Sequence, residues 1–251
     1  MRLKHLSPSR RSVRAMQRGL GMVELMVGIT VGLIVTAGAA VVATRQINEH
    51  RRLMLEVQMQ QDLRVAADLL QQDLRRAGYR GLPSNGVWEP ERNAGTVPAK
   101  NAASSPYTAL SQSDGGVDLL YRYARNASGT TTMNTTNVLA NNEQFGIRWD
   151  RNNKVLYIQL GVVNGQPNWQ PITDPDAVLI VDFVPTIVTQ QIPLDDLCDP
   201  TCTSAGTCPT QTVRRVDFTI KAASKTDPNV RRTLTVSEKV RADDISGACP
   251  A

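Results

Sequence analysis

The sequence predicts an α+β protein in which one long N-terminal helix packs on an antiparallel β-sheet. Three observations indicate this class. Leu20–Thr44 is an apolar run of 25 residues that holds a single charge, Glu24. Residues 45–77 contain no Gly or Pro and repeat apolar side chains every three or four positions. The remaining residues alternate strand-like segments with turn-forming ones.

The first 19 residues carry the charge asymmetry of the chain. Six basic residues and no acidic ones precede Leu20, and the whole chain has a net charge of +5. Without residues 1–19 the chain holds 22 basic and 23 acidic residues, a net charge of −1. A basic flank beside an apolar run faces the cytoplasm under the positive-inside rule. We therefore interpret 1–19 as a cytoplasmic leader, and the rest of the composition gives no reason to expect a nucleic-acid partner.

The apolar run is long enough to cross a membrane. As a helix its 25 residues would be about 38 Å long, whereas the hydrocarbon core is about 30 Å thick. We predict a transmembrane helix over 20–44, with everything after Thr44 outside the cytoplasm. Two alternatives stay open, an ordinary signal peptide cleaved near 37–39 and a plain membrane anchor. Neither explains Glu24, because a charged side chain in hydrocarbon costs about 2.5–3.5 kcal/mol on insertion scales.

Residues 45–77 predict an amphipathic continuation of the same helix. Its apolar stripe consists of Leu55, Met59, Leu63, Ala66, Ala67, Leu70, Leu74 and Ala77. Gly78 follows as a candidate C-cap, with Arg75 and Arg76 near the negative end of the helix dipole. A helix of this kind has one face to bury, and a sheet formed by the later residues would cover it.

Six later segments have the composition of β-strands. They are Val117–Tyr123, Phe145–Asp150, Lys154–Val162, Val178–Ile187, Val213–Ala222 and Arg231–Val240. The stretches 150–153 and 226–229 predict turns, because Asp, Asn and Pro favour turn conformations. Strands joined by such short turns pair antiparallel. Residues 78–116 are rich in Gly, Pro, Asn and Ser, which predicts a long surface loop.

All four cysteines follow the predicted span. They are Cys198, Cys202, Cys208 and Cys249. In an oxidising compartment an even number predicts two disulfides, and three pairings exist. A zinc site is the alternative, but the spacing is loose and the fourth cysteine is distant. The loop 195–209 also holds three aspartates without the spacing of a calcium loop, so we predict a solvated acidic loop, no metal and no cofactor.

The sequence lacks the residue patterns of an enzyme. After the leader one histidine remains, His50, which the predicted helix places among basic residues. A single histidine in an exposed, basic part of the helix argues against a His-based triad and against a His metal site. No P-loop, nucleophile-elbow or HExxH pattern occurs. We therefore predict no catalytic residue, and we assign the tyrosines and Trp149 of the strands to packing rather than to base stacking.

Residues 18–27, RGLGMVELMV, resemble the class III signal of type IV prepilins. In that family a prepilin peptidase cuts after the glycine, the new first residue is N-methylated, and the fifth mature residue is glutamate. The resemblance implies cleavage between Gly19 and Leu20, methylation of Leu20, and an assembly contact through Glu24. In that contact the carboxylate pairs with a neighbouring subunit's free amino group in a low-dielectric environment. Two positions depart from the common pattern: Leu20 replaces Phe, and Val41 stands where many major pilins carry Pro.

Residues 68–81 resemble the PilW family of minor pilins, because they contain the pattern LxxDLRxAGYxG. The resemblance implies a pilin-like ladle with a Cys-rich loop, anchored in the inner membrane with a periplasmic head and later incorporated into a pilus. It suggests that Cys249 ties the tail to that loop, with the pairing left open. The implied partners are prepilin peptidase, other minor pilins, the major pilin and a tip adhesin. The implied function is pilus assembly, and through it adhesion and twitching motility.

This interpretation divides the chain into four parts. They are a cleaved leader (1–19), a transmembrane and assembly helix (20–44), an amphipathic continuation (45–77) and a β-rich head (78–251). Two other functions stay open. One is a J-like minor pseudopilin of a type II secretion system, which shares the fold. The other is a periplasmic binding or enzymatic domain on an uncleaved anchor or behind an ordinary signal peptide.

Overall fold

A computed structural model describes residues 21–90, 102–113, 116, 118–126, 131–203 and 206–250. The chain divides after Arg51 into two compact units. One helix, α1 (Met22–Leu74), contributes its first part to the unit before this division and its last part to the unit after it.

The described part of the first unit contains the apolar run from Gly21 to Thr44 and the more polar residues 45–51. All its described residues, 21–51, are exposed. Among the described helices, α1 is the one that is long and apolar enough to cross a membrane. The hydroxyls of Thr30, Thr36 and Thr44 donate to carbonyl oxygens three or four residues earlier in the helix. Because the helix itself satisfies these hydroxyls, they add no unpaired polar group to an apolar surface.

The second unit contains two antiparallel sheets. The first has the order β1 (Ser111–Gln112), β2 (Asp118–Arg122), β3 (Gln144–Asp150), β4 (Val155–Val163) and β5 (Gln166–Pro171). The second is built around β7 (Thr210–Ser224), with β6 (Val178–Pro193) along one side and β8 (Arg231–Lys239) and β9 (Asp244–Ser246) along the other. Both sheets contribute their inward-facing residues to one core.

That core joins the end of α1 to both sheets. The buried face of the helix is formed by Met59, Leu63, Ala66, Ala67, Leu70, Asp73 and Leu74. The strands add buried apolar residues that include Leu119, Phe145, Ile147 and Leu156 from the first sheet and Phe183, Val216, Phe218 and Ile220 from the second. The predicted α+β class, a long helix packed on antiparallel strands, is therefore confirmed, with two sheets where the sequence predicted one.

The six predicted strands are all present, with shifted ends. The largest shifts are in β6, which ends at Pro193 rather than Ile187, and in β7, which begins at Thr210 rather than Val213. Three short strands, β1, β5 and β9, escaped prediction. The sequence of β5, QPNWQP, contains two prolines, which lower strand propensity, and β1 and β9 have only two and three residues.

Both predicted turns are confirmed. In the first, Asp150 Oδ1 accepts the backbone N–H groups of Asn152 and Asn153 at 2.9 and 3.0 Å, between β3 and β4. In the second, Asp227 Oδ1 accepts the N–H of Asn229 at 3.0 Å, between β7 and β8. Of the predicted loop 78–116, residues 91–101, 114 and 115 lie outside the described part, and the remainder includes a short 3-10 turn, Pro83–Gly86, and the strand β1.

Candidate functional site

The predicted processing and assembly residues lie at the start of α1. Gly19 and Leu20, the predicted cleavage and methylation site, lie outside the described residues. Glu24 lies in the first turn of α1 and is exposed. Its large apolar neighbours Met22 and Leu25 are 85% and 53% exposed. The helix dipole favours a carboxylate in the first turn. Because the apolar side chains around Glu24 are exposed, its carboxylate is free to pair with a positively charged group of another molecule.

The end of α1 carries a buried carboxylate, Asp73, which is 9% exposed. Its Oδ1 accepts the hydroxyl of Tyr123 at 2.6 Å, and its Oδ2 accepts the hydroxyl of Tyr121. The ring of Tyr123 stacks on Phe145 with ring centroids 3.8 Å apart. Tyr121 belongs to β2 and Phe145 to β3. Asp73 therefore fastens the helix end to the first sheet, and the predicted packing role of these tyrosines is confirmed.

The surroundings keep both tyrosines in the neutral form that donates. Burial raises the pKa of Tyr121 well above its ordinary value, and the charge of Asp73 and the hydrogen bond to it raise that pKa further. The pKa of Tyr123 is raised by the same causes, burial first, while Arg76 acts in the opposite direction. Two hydroxyl donors thus satisfy a buried charge that would otherwise cost several kcal/mol.

The other residues of the pattern at 70–81 also have structural roles. The buried apolar ones are Leu70, Leu74 and Ala77. Gly78 has a φ of +78°, and a Cβ on it would lie 2.9 Å from the Cβ of Ala242. A Cβ on Gly81 would lie 1.6 Å from the carbonyl oxygen of Asn134, which excludes any side chain there. The N–H of Gly78 bonds to the carbonyl oxygen of Arg122 rather than to a carbonyl oxygen of the helix. The pattern therefore positions the helix end against the sheets.

Two ion pairs join α1 and the residue that follows it to β8. Near one end of the strand Arg232 donates to the carboxylate of Glu56. Near the other end Arg75 donates to both carboxylate oxygens of Glu238, at 2.8 and 3.0 Å, and Gln71 adds a bond of 3.0 Å. The hydrogen bond from Arg75 lowers the pKa of Glu238. Arg75 follows the last helical residue and pairs with Glu238, whereas the sequence assigned it to the helix dipole.

A second buried carboxylate, Glu143, has no exposed surface. It accepts the Tyr107 hydroxyl at 3.0 Å, the Asn134 side-chain amide at 2.9 Å, and the N–H groups of Ala140 and Arg125 at 2.8 and 3.0 Å. Burial and the bond to this carboxylate raise the pKa of Tyr107. No local sequence pattern predicts this cluster, because its donors come from positions spread over more than thirty residues.

The four cysteines form two disulfides, Cys198–Cys249 and Cys202–Cys208. The first ties the C-terminal tail to the loop after β6, and the second closes a small loop with a sequence separation of 6. This is one of the three pairings that the sequence left open. Each of the four sulfur atoms is bonded to one other in a disulfide, so none is a thiolate ligand for zinc. Within the described ranges, no group of three or more His, Cys, Asp or Glu residues could hold a metal ion.

The remaining residues that the sequence singled out are placed as follows. Glu24 and His50 belong to the first unit and are exposed, and the cysteines belong to the second. Trp149 packs against the core and donates its indole N–H to the carbonyl oxygen of Ile180 at 3.1 Å. Asp73 is not among the residues predicted from the sequence. A signal for it exists, because Asp73 interrupts the apolar stripe at a position three residues after Leu70.

A family model, prepilin peptidase-dependent protein B, matches residues 52–241. The chain belongs to this family. The match begins at the first residue of the second unit and ends before Cys249. No curated protein and no solved structure matches the chain significantly.

Membership of the prepilin peptidase-dependent protein B family makes the chain a type IV pilin-related protein. The matched residues do not include the prepilin-like segment 18–27. Family membership and the prepilin-like signal are therefore independent observations, drawn from separate parts of the chain.

Proposed function

We propose that this chain is a minor subunit of a type IV pilus, of the PilW type, that takes part in the start of filament assembly. Prepilin peptidase cuts it after Gly19, and the new amino group of Leu20 is methylated. The first part of α1 anchors it in the inner membrane with its head in the periplasm. The subunit then joins other minor pilins, the major pilin and a tip adhesin in the pilus, and so supports adhesion and twitching motility. It is a substrate of processing and not an enzyme.

The observation that carries this proposal is the agreement of two separate parts of the chain. The residues after Arg51 belong to a family described by its dependence on prepilin peptidase. The residues before it contain the glycine, the apolar run and the glutamate at the fifth position after the glycine. An ordinary anchor needs only the apolar run, so the spacing of Glu24 from Gly19 favours a pilin-type subunit.

Glu24 has a physical role in this proposal. A lone carboxylate in an apolar helix is costly in a membrane unless a partner charge meets it. Cleavage before Leu20 creates an amino group, and a neighbouring subunit can bring that group to Glu24. Because such a pair also loses solvation, its main contribution is to fix the register between subunits rather than to add stability.

The assembly role is tested with Glu24→Ala and Glu24→Gln in cells that form pili. Processing and the amount of protein in the membrane are measured beside the amount in sheared pili. We expect normal processing, a trace amount of the unchanged protein in pili, and loss of both variants from them. Glu49→Ala is the matched control, because Glu49 is an exposed carboxylate of α1 outside the apolar run. Entry of Glu24→Ala into pili at the normal level would remove the role we assign to Glu24.

The same cells separate the proposal from its two alternatives. Deletion of the gene should abolish piliation if the chain is a minor pilin. Loss of protein secretion with normal piliation would indicate a J-like pseudopilin of a type II secretion system. Normal piliation and normal secretion, together with an intact Met1, would indicate an anchored periplasmic domain.

A further inference from the structure

The outer edges of the two sheets differ in how they are protected against pairing with another strand. Along an edge strand, the backbone N–H and C=O groups of every second residue point away from the neighbouring strand and stay unpaired; these residues are called outward-facing here. Proline at an outward-facing position removes the N–H that a further strand would need. In β5 the bond from the N–H of Ile172 to the oxygen of Leu156 sets which residues face outward. These are the odd-numbered ones, and they include Pro167 and Pro171.

The long strand β6 is protected in the same way. The bond from the N–H of Leu194 to the oxygen of Pro209 shows that its odd-numbered residues face outward after the bulge at 180–182. Pro185 and Pro193 are among them. The carbonyl oxygen of Pro185 is in addition covered by the side-chain amide of Gln112, at 2.9 Å. The exposed part of this edge is therefore bounded by a proline on each side.

The outer edge of β8 has no such protection. The bonds from Ser224 N–H to the oxygen of Val230 and from Val240 N–H to the oxygen of Arg214 show that the even-numbered residues face β7. The outward-facing residues are Arg231, Thr233, Thr235, Ser237 and Lys239, none of which is proline and all of which have exposed side chains. Within the described part of the chain, the N–H groups of Thr233, Thr235 and Ser237 have no main-chain acceptor.

The charges around this edge indicate what can pair with it. Residues 231–241 hold four basic residues and one acidic residue, Glu238, a net charge of +3. Two of the basic residues have a carboxylate nearby: Arg232 pairs with Glu56, and Lys239 Nζ lies 3.7 Å from Asp243 Oδ1 at the surface. The basic residues lie towards the ends, and the outward-facing positions between Arg231 and Lys239 are Thr and Ser. A second copy of β8, paired antiparallel about Thr235, would place Arg231 opposite Lys239. Like charges at directly opposed positions destabilise a strand pair, so self-pairing is disfavoured.

We propose that the outer edge of β8 is a docking site for an extended segment of a partner protein that carries an acidic residue near each end. The segment adds a strand to the second sheet. Its main-chain groups bond to the free N–H and C=O groups at Thr233, Thr235 and Ser237, and its carboxylates meet Arg231 and Lys239. This site is separate from the N-terminal residues that carry the proposed function, and its binding does not require cleavage of the leader.

The test uses the full-length protein in detergent micelles and two fluorescein-labelled peptides of nine residues. Both peptides have alternating Thr and Val at their centre. One peptide has Asp at both ends, and the other has Lys at both ends. Fluorescence anisotropy at low salt measures Kd. We expect the acidic peptide to bind at least about tenfold more tightly than the basic one, the difference that a few rim charges give.

Thr235→Pro removes one outward N–H, and Thr235→Ala is the matched control because it keeps the N–H while losing the same hydroxyl. We expect Thr235→Pro to weaken binding of the acidic peptide about tenfold, as for one lost hydrogen bond, and Thr235→Ala to leave it unchanged. A variant with Arg231→Glu and Lys239→Glu should reverse the preference between the two peptides. That variant keeps the proposal testable if the proline variant does not fold.

Three results would overturn the proposal. One is equal binding of the acidic and basic peptides. Another is normal binding of the acidic peptide by a folded Thr235→Pro protein. The third is a concentration-dependent dimer in sedimentation that Thr235→Pro abolishes, since this would assign the edge to a second copy of the chain. A failure of this kind leaves processing at Gly19 unaffected, so it is distinguishable from a failure of the proposed function.

Discussion

The most demanding test of the head structure is the removal of the buried carboxylate Asp73. In Asp73→Ala the hydroxyls of Tyr121 and Tyr123 lose their acceptor while they stay inside the core. A hydrogen bond to a charged group contributes about 1.5–3 kcal/mol, so two of them predict a loss of about 4 kcal/mol in the free energy of unfolding. In a unit of this size that loss corresponds to a fall of about 8–16 °C in Tm.

The assay is denaturant unfolding of the full-length protein in micelles, followed by tryptophan fluorescence. Asp68→Ala is the matched control, because Asp68 is an exposed aspartate on the same helix; we expect its effect to stay within about 0.5 kcal/mol. In a Tyr121→Phe background, Asp73→Ala should cost at least about 1 kcal/mol less than it does alone, since one of the two bonds is already gone. A loss below about 1 kcal/mol for Asp73→Ala would refute the assignment of this carboxylate as the fastening between helix and sheet.

The same cluster predicts a dependence of stability on high pH. The pKa of Tyr121 and that of Tyr123 are raised in the folded protein above the ordinary value of 10.0. Their contribution is therefore complete below about pH 10 and is lost as the pH rises further, because the unfolded chain then ionises first. The free energy of unfolding should fall more steeply above pH 10 in the unchanged protein than in a variant with both tyrosines replaced by Phe. Equal slopes would contradict the raised pKa values.

Two further predictions concern the disulfides and the helix end. Cys198→Ser should lower the free energy of unfolding by about 4 kcal/mol and Cys202→Ser by about 2 kcal/mol. The difference follows from the sequence separations of 51 and 6, because closing a longer loop removes more entropy from the unfolded chain. Equal losses in denaturant unfolding would refute this entropic explanation. Gly81→Ala should lower the free energy of unfolding by at least about 2 kcal/mol, because its Cβ would overlap the carbonyl oxygen of Asn134. The control Gly86→Ala, whose Cβ meets only the flexible Arg80 side chain, should lower it by less than about 1 kcal/mol. Similar stabilities of the two glycine variants would show that the close approach at Gly81 is not a constraint.

Local sequence patterns predicted most of the elements of this fold. Apart from Leu55, which is half-buried, the apolar stripe predicted within 45–77 is buried in the structure, and the predicted strand Val213–Ala222 lies within β7. The division into two sheets could not be predicted in this way. Which strands share a sheet depends on contacts between residues that are distant in the chain, and β5 reads as a loop because of its prolines.

The buried polar residues show the same limit. Asp73 interrupts an apolar stripe, which is a signal that the sequence contains, but its partners Tyr121 and Tyr123 lie about fifty residues later. Glu143 gave no signal, because its environment is assembled from several loops. The pairing of the cysteines likewise required the backbone, since spacing alone leaves all three pairings open.

The assembly residues were predicted on different grounds. Glu24 stood out because it is the single charge in an apolar run, and the prepilin-like spacing gave that charge a role. The family match rests on other residues, 52–241, and so neither observation depends on the other. Processing and methylation remain predictions, because Gly19 and Leu20 lie outside the described residues.

The central claim, that this chain is a processed pilin-type subunit, is tested most directly by the N-terminal residue of the mature protein. The protein is extracted from the membrane of cells that contain prepilin peptidase, and its N-terminal peptide is analysed by mass spectrometry. We expect a chain that begins with N-methylated Leu20. A chain that begins with an intact Met1, or near Ala40, would contradict it.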